Sequence, residues 1–263
     1  MAARDRMQQQ RFELKYLIPE ETALLVRDFV RSYLEMDEYS VGRPNYSYPV
    51  HSLYLDSQEL RLYWDTINGN KNRFKLRLRY YSTNPDTPVF FEIKRRMNNC
   101  ILKQRGGVRQ DCVGLLLSGH LPEPQHLVSK SPNQLVAIQR FCNLMDQVHA
   151  KPRVHIAYMR EAYVSDNDEV RVTMDRQIQA EPNLAFGVKT EMKEPVHSFD
   201  RTVILELKFT NRYPDWFREL VRVFHVMQCG AAKYVESIQG IGNEKLGADL
   251  PVVEQPPRFS RSW

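Results

Sequence analysis

Lysine and arginine recur at every second position in several short segments of the chain. Lys75, Arg77 and Arg79 alternate with apolar residues, as do Lys103 and Arg105. Side chains two positions apart in a β-strand share a face, so each segment predicts a strand with one basic and one apolar face. Guanidinium groups bind phosphate oxygens in pairs and ammonium groups bind them as point charges. These faces therefore predict phosphate binding.

A few carboxylates are interspersed among the basic residues. Glu13 lies between Arg11 and Lys15, and Glu206 shares a predicted face with Lys208. Carboxylate oxygens suit Mg²⁺ or Mn²⁺, which also bridge phosphates. One such strand is adequately explained as the solvated face of an antiparallel sheet. Six of them bring like charges close together on neighbouring strands, and a bound polyanion would offset that repulsion.

The segments that must position these side chains are predominantly strands. Helical periodicity predicts only three helices, with a shorter helical turn after Ser57. The predicted helices cover Pro19–Glu35, Pro132–Gln147 and Pro214–Met227. The predicted strands cover Arg11–Leu17, Pro49–Leu55, Arg73–Tyr81, Val89–Arg96, Cys100–Val108, Arg153–Tyr163, Glu169–Ile178 and Val203–Phe209.

This pattern favours an α+β fold that is mainly antiparallel β, as a barrel or a sandwich. If the eight strands close, they form a tunnel barrel with a basic lumen, flanked by about three helices. Such a tunnel is too narrow for a nucleic-acid duplex but admits a thin chain of phosphates.

Composition excludes several classes of protein. The content of 42% hydrophobic and 26% charged residues is that of an ordinary globular chain, which excludes a disordered or collagen-like protein. No apolar stretch approaches the roughly 20 residues of a membrane span. The four cysteines lack metal-ligand spacing and predict free thiols in a reducing, cytoplasmic setting. The net charge of +5 is consistent with an anionic partner.

Seven short motifs, in order along the chain, resemble the VTC domain, which is the polyphosphate polymerase branch of the triphosphate tunnel metalloenzymes. They are RFELKY at 11–16, SLYLDS at 52–57, KLRLRYY at 75–81, FEIKRR at 91–96, VRVTMD at 170–175, LELKF at 205–209 and KY at 233–234. The resemblance implies a tunnel domain over residues 11–240, between a flexible tail at 1–10 and a C-terminal tail at 241–263. It also implies a stand-alone, bacterial-type form without the phosphate-sensing domain and membrane helices of eukaryotic relatives.

The activity that the resemblance implies is ATP-dependent polyphosphate polymerisation, in which the γ-phosphate of ATP joins a growing chain and ADP is released. The catalytic residues it implies are Lys15, Arg77, Arg79, Lys94, Arg171 and Lys233. Further phosphate contacts are expected from Lys75, Lys103, Arg105, Arg160 and Lys208. Glu206 and Glu13 are expected to hold Mn²⁺ or Mg²⁺, whereas Tyr54 and Tyr80 are expected to be structural.

Two departures from the family pattern bear on the activity, and the first, with one carboxylate fewer, suits the polymerase branch better than a hydrolase. Arg11 occupies the first glutamate position of the superfamily pattern E-x-E-x-K, and Ala232 replaces the serine of the VTC pattern S-K-Y. One alternative is a tunnel triphosphatase that hydrolyses nucleoside or inorganic triphosphate. Another is a non-catalytic module that binds polyphosphate or inositol phosphates, which Ala232 favours. A nucleic-acid binder is weakly supported, since no run rich in lysine and arginine is present.

Overall fold

The computed structural model describes residues 11–98, 100–242 and 244–246. Most of the chain is a ten-stranded antiparallel sheet with six α-helices around it. The strands are β1 (Arg11–Ile18), β2 (Glu35–Met36), β3 (Ser47–Asp56), β4 (Asn72–Tyr80), β5 (Val89–Met97), β6 (Cys100–Val108), β7 (Lys151–Val164), β8 (Val170–Pro182), β9 (Val196–His197) and β10 (Val203–Thr210). The helices are α1 (Glu20–Val30), α2 (Arg61–Ile67), α3 (Val113–Leu117), α4 (Pro132–Gln147), α5 (Asp215–Val223) and α6 (Lys233–Ile241).

The eight long strands follow the order β1-β10-β8-β7-β3-β4-β5-β6, and every neighbouring pair is antiparallel. The short strands β2 and β9 pair with β7 and β8. Each of the eight predicted segments overlaps one of the long strands, so the prediction of a mainly antiparallel β fold is confirmed. Alternation along these strands was a reliable signal because one face of each is apolar and packs on helices.

The predicted closure of the barrel is wrong, because no ladder of hydrogen bonds joins β1 to β6 within the described residues. The outer edges of these two strands are bonded elsewhere. On β6, the Gly107 N–H donates to the Gln134 side chain and the Gly107 carbonyl accepts the Val128 N–H, both at 3.0 Å. On β1, the Lys15 carbonyl accepts the Cys229 N–H at 2.9 Å.

The open sheet is nevertheless strongly curled. Some Cα atoms of β1 and β6 lie within 8 Å of each other. Lys94 Nζ on β5 lies 3.1 Å from Glu13 Oε1 on β1, so one ion pair spans the gap between the two ends of the sheet. We call this gap the seam.

The helices are more numerous than the three predicted. The helix predicted over Pro132–Gln147 is confirmed as α4. The helix predicted over Pro19–Glu35 ends at Val30, since Glu35 and Met36 pair with β7 instead. The helix predicted over Pro214–Met227 is shorter than expected, and the turn after Ser57 contains α2. Helices α3 and α6 were not predicted, although Tyr234, Val235, Ile238 and Ile241 of α6 have the spacing of a buried helical face.

Apolar side chains cover both faces of the sheet outside the charged region. On the convex face, α3 and α4 pack on β3–β6, where Phe91 and Phe141 meet edge to face at 4.9 Å. Helices α1 and α5 pack on β1, β8 and β10. Helix α6 packs on Val154, Ile156 and Ala180. Val154 and Ile156 share the face of β7 that carries Arg160, so α6 covers part of the concave face and leaves the charged part open.

Both predicted tails extend beyond the described residues. The tail at 1–10 lies entirely outside them, as do 243 and 247–263 of the C-terminal tail. Of that tail, Leu246 is buried, and its carbonyl accepts a hydrogen bond from Arg153 Nη1 at 3.3 Å. In the described part of the chain, no helix has the length and apolar character needed to cross a membrane.

Candidate functional site

The charged strand faces line a single cavity of about 1720 Å³. Among the described residues, fifteen lysines and arginines line it, against four aspartates and glutamates. Every residue that the sequence proposed for the site lies on this wall: Glu13, Lys15, Lys75, Arg77, Arg79, Lys94, Lys103, Arg105, Arg160, Arg171, Glu206, Lys208 and Lys233. The structure thus brings all of them together, while their chemical roles stay predictions.

Glu206 of β10 lies at the centre of the first of two buried ion-pair clusters. Its Oε1 is 3.2 Å from Lys233 Nζ and 3.4 Å from Lys15 Nζ. Its Oε2 accepts a hydrogen bond from Lys208 and lies 3.6 Å from Arg160 Nη2. Burial alone would raise the pKa of Glu206, but the four cations outweigh it and hold the pKa well below its usual value. Glu206 therefore stays ionised.

Asp175 of β8 lies beside Glu206 in the same cluster. The Arg160 guanidinium donates two hydrogen bonds to it, at 2.6 and 2.7 Å, and Lys233 Nζ lies 2.6 Å from its Oδ2. Burial lowers the pKa of Lys233, but Asp175 and Glu206 reverse the effect and raise it above the ordinary value. Sequence analysis gave Asp175 no role, although it alternates with Arg171 on one face of β8.

Glu92 of β5 forms the second cluster and is fully buried. Its Oε2 accepts hydrogen bonds from Arg77 Nε and Nη2 at 2.8 and 2.7 Å, and its Oε1 lies 2.7 Å from Lys103 Nζ. The Arg105 guanidinium is farther away, at 3.9 Å. Glu92 fixes the position of Arg77, and it too was overlooked although it alternates with Lys94.

Arg79 and Lys75 differ from Arg77 on the same strand because neither forms an ion pair within the described residues. Arg79 is only 7% exposed. Its Nη2 donates to the neutral Ser52 and Tyr158 hydroxyls, and its Nε has no hydrogen-bond partner. Lys75 Nζ lies 5.8 Å from the centre of the Tyr234 ring. Neither cation has a carboxylate partner in the described part of the chain, and an anion bound in the cavity would supply the counterion.

Three further site residues occupy the periphery of the clusters. Arg171 is paired with Asp37, which follows β2. Lys94 is held by Glu13, which also lies 3.3 Å from Lys15 Nζ. Each of these cations has a carboxylate partner that a more highly charged anion can replace.

Tyr54 and Tyr80, both expected to be structural, differ in position. The Tyr80 hydroxyl donates to the Lys189 carbonyl at 2.6 Å, and its ring belongs to the core on the convex side. Tyr54 lines the cavity and accepts a hydrogen bond from Arg77 Nη1 at 3.1 Å. Burial would raise the pKa of Tyr54, but Arg77, Arg79 and Lys75 outweigh it and lower the pKa to about 8.

The predicted metal ligands provide only part of a metal site. Glu13 and Glu206 both contact Lys15 Nζ, so their carboxylates converge on one ammonium group. In residues 11–98, 100–242 and 244–246, no group of three or more histidine, cysteine, aspartate or glutamate side chains is placed to hold a metal ion. Mg²⁺ is commonly held by one or two carboxylates together with substrate phosphates. The two glutamates fit a divalent cation of that kind.

Comparison with known proteins gives a family and one curated relative. The model of the family described as VTC domain matches residues 10–241. Vacuolar transporter chaperone complex subunit 2 of Schizosaccharomyces pombe is 28% identical over 131 residues, which cover 47% of this chain and 18% of the relative. The chain therefore matches less than a fifth of that protein's length.

Comparison with solved structures gives a more distant likeness. A conserved hypothetical protein from Pyrococcus furiosus is 11% identical and has a TM-score of 0.41, over 87% of this chain and 99% of the other. A likeness at this level supports no conclusion about the present chain.

Proposed function

The chain belongs to the VTC domain family, and from that premise we propose that it is an ATP-dependent polyphosphate polymerase. It transfers the γ-phosphate of ATP to a growing polyphosphate chain in the basic cavity. The observation that carries this proposal is the excess of cations on one wall, with Arg79 buried there without a carboxylate partner. Desolvating a charge without a counterion costs several kcal/mol. A bound triphosphate would supply that counterion.

Phosphoryl transfer requires in-line placement of the reacting groups and neutralisation of charge more than covalent chemistry. The ion-pair clusters hold Arg77, Arg160 and Lys233 in place before any ligand binds, so little ordering remains to be done on binding. Arg79 and Lys75 add cations without carboxylate partners. The acceptor is a phosphate oxygen that is already anionic, so the reaction needs no strong general base.

Mn²⁺ or Mg²⁺ is the cofactor that we propose for this reaction. Glu206 and Glu13 would hold it together with phosphate oxygens, and it would supply further neutralisation of the triphosphate charge. Lys15 occupies the place between these two glutamates. They would hold a metal ion only if its ammonium group left that place.

Product analysis with ATP and Mn²⁺ tests the proposed activity directly. We expect ADP together with polyphosphate chains of increasing length. ADP with free phosphate alone would instead identify a tunnel triphosphatase. A rise in melting temperature with tripolyphosphate but no turnover would identify a non-catalytic binding module, because a ligand that binds only the folded state stabilises it. The absence of a hydroxyl at Ala232, on the cavity wall, favours that second candidate.

Tripolyphosphate affinity is expected to decrease as the pH rises from about 7 to about 9. Burial, reinforced by the nearby Lys94, lowers the pKa of Lys75 to about 8. Burial also lowers the pKa of Lys208 to about 8, although Glu206 opposes the effect. Both lysines lose their protons within this interval, and the anion binds the protonated forms. Each lysine that must regain its proton weakens binding by up to about tenfold per pH unit above its pKa.

The matched control for this pH dependence is Lys75→Arg, which remains charged throughout the interval. Isothermal titration calorimetry of both proteins at each pH separates the effect of deprotonating Lys75 from the effect of deprotonating the ligand. The phosphate groups titrate identically in the two experiments. The variant should show the shallower pH dependence. Parallel profiles would mean that Lys75 does not contact the anion.

A further inference from the structure

One end of the cavity is aromatic. Tyr39, Tyr48, Tyr81 and Phe90 all line it, and we call these four residues the aromatic mouth. The centre of the Tyr48 ring lies 6.0 Å from that of Tyr39 and 6.2 Å from that of Tyr81. The Tyr81 and Phe90 centres are 6.4 Å apart. Together the four rings form a continuous aromatic wall.

The strand register places this wall at the opposite end of the β4–β5 hairpin from Arg73 and Arg96. Phe90 is directly opposite Arg79 across β4 and β5, and Tyr81 follows Arg79 by two residues. At the other end of the same hairpin, Arg73 is directly opposite Arg96. Arg73 and Arg79 are six residues apart in a strand, which corresponds to about 20 Å. The cavity thus has an aromatic end next to Arg79 and a basic end around Arg73.

The rings of the aromatic mouth do not stack face to face on one another. The planes of Tyr39 and Tyr48, Tyr48 and Tyr81, and Tyr81 and Phe90 are inclined by 56°, 54° and 73°, so no neighbouring pair is stacked. Tyr39 is 63% exposed and Tyr81 is 40% exposed, whereas Tyr48 is buried and the Arg105 guanidinium lies 4.7 Å from the centre of the Phe90 ring. Tyr39 and Tyr81 therefore offer flat aromatic surface beside the basic wall of the cavity.

A ligand that matches both surfaces carries a flat aromatic group at one end and a row of phosphates at the other. We propose that the aromatic mouth binds the base of the nucleotide substrate, which directs the triphosphate along Arg79 toward the basic end. This inference rests on the function proposed above and adds to it the residues that recognise the nucleoside. Bases stack on aromatic side chains largely regardless of sequence, so the mouth recognises a nucleotide as a class.

Calorimetric titration with two ligands, ATP and tripolyphosphate, tests the inference, since only ATP carries a base. Tyr81→Ala should weaken ATP binding by about fivefold or more and leave tripolyphosphate binding unchanged within about twofold. Tyr39→Ala should act in the same direction, and its high exposure makes a folding defect unexpected. Tyr81→Phe keeps the ring and should retain the affinity for both ligands. Tyr33→Ala, at an exposed tyrosine that stacks on Trp216 away from the cavity, is the control.

The outcomes separate this inference from the proposed function. Equal losses for ATP and tripolyphosphate in Tyr81→Ala would place Tyr81 at the phosphates and overturn the inference. Unchanged ATP affinity in both alanine variants would also overturn it and leave the aromatic mouth as a surface for another partner. If the unaltered protein binds neither ligand, the proposed function fails and the inference fails with it. Selective loss of ATP affinity supports both.

Discussion

If Glu206 holds the proposed metal, replacing it by glutamine is expected to reduce Mn²⁺-dependent turnover by at least about a hundredfold, because a bound metal ion contributes several kcal/mol of transition-state charge stabilisation. The same substitution should strengthen tripolyphosphate binding in the absence of metal. It removes a negative charge that Lys15, Lys208 and Lys233 contact in the ligand-free protein, and those cations then become available to the phosphates. Turnover and metal-free affinity should thus change in opposite directions.

Asp168→Asn is the matched control for Glu206→Gln. Asp168 lines the same cavity but is exposed, and asparagine tolerates its backbone φ of 58°. This variant removes one negative charge from the cavity wall without touching the cluster around Glu206. It should bind tripolyphosphate slightly more tightly and keep its turnover. If Glu206→Gln lowers only the free energy of unfolding and keeps the metal dependence of activity, Glu206 is an ion-pair residue and not a metal ligand.

Arg79→Met is expected to weaken tripolyphosphate binding by about 1.5–3 kcal/mol, the value of a hydrogen bond to a charged group, which is roughly tenfold to 150-fold. The free energy of unfolding of the ligand-free protein should increase at the same time. Arg79 is buried without a carboxylate partner, and methionine fills much of its volume without a charge that must be desolvated. Calorimetry and urea unfolding measure the two effects.

Arg77→Met provides the comparison, because Arg77 lies on the same face of the same strand but is paired with Glu92. Removing one partner of a buried pair costs about 3–5 kcal/mol when the other charge is left alone. Lys103 still contacts Glu92 in this variant, so it should lose stability by less than that amount. The free energy of unfolding should therefore change in opposite directions in the two variants. Equal destabilisation would mean that Arg79 is as well compensated as Arg77, and the strongest support for the anion site would be lost.

The wall of the site could be predicted from the sequence because the alternation of basic and apolar residues alone decides which side chains line it. Once Lys75, Arg77 and Arg79 lie in a strand, they share a face, and the apolar residues between them determine which face packs on the helices. The same alternation contained Glu92 and Asp175. They were overlooked because a carboxylate beside arginines also fits an ordinary solvated strand, and only burial distinguishes the two cases.

Closure of the sheet and the aromatic mouth were beyond sequence analysis for a different reason. Whether β1 pairs with β6 depends on competing bonds from distant segments, such as Val128 to Gly107 and Cys229 to Lys15, and no local pattern encodes that competition. Tyr39, Tyr48 and Tyr81 come from three separate segments, which the pairing of β3 with β4 and of β2 and β3 with β7 brings together. Tertiary contacts of this kind leave no periodicity to detect.

The seam between β1 and β6 bears on how a long polymer would reach the cavity. A wall closed by a continuous hydrogen-bond ladder can be entered only by threading a free end, so a chain would have to be loaded from its terminus. At the seam, the described residues on the charged face are bridged by an ion pair between Lys94 and Glu13. If the chain acts on polyphosphate as proposed, phosphates would compete with Glu13 for Lys94 and weaken this bridge. Under the proposed function, an internal stretch of polyphosphate would enter there only if β1 and β6, whose Cα atoms come within 8 Å, also moved apart, and loading would then not depend on the concentration of chain ends.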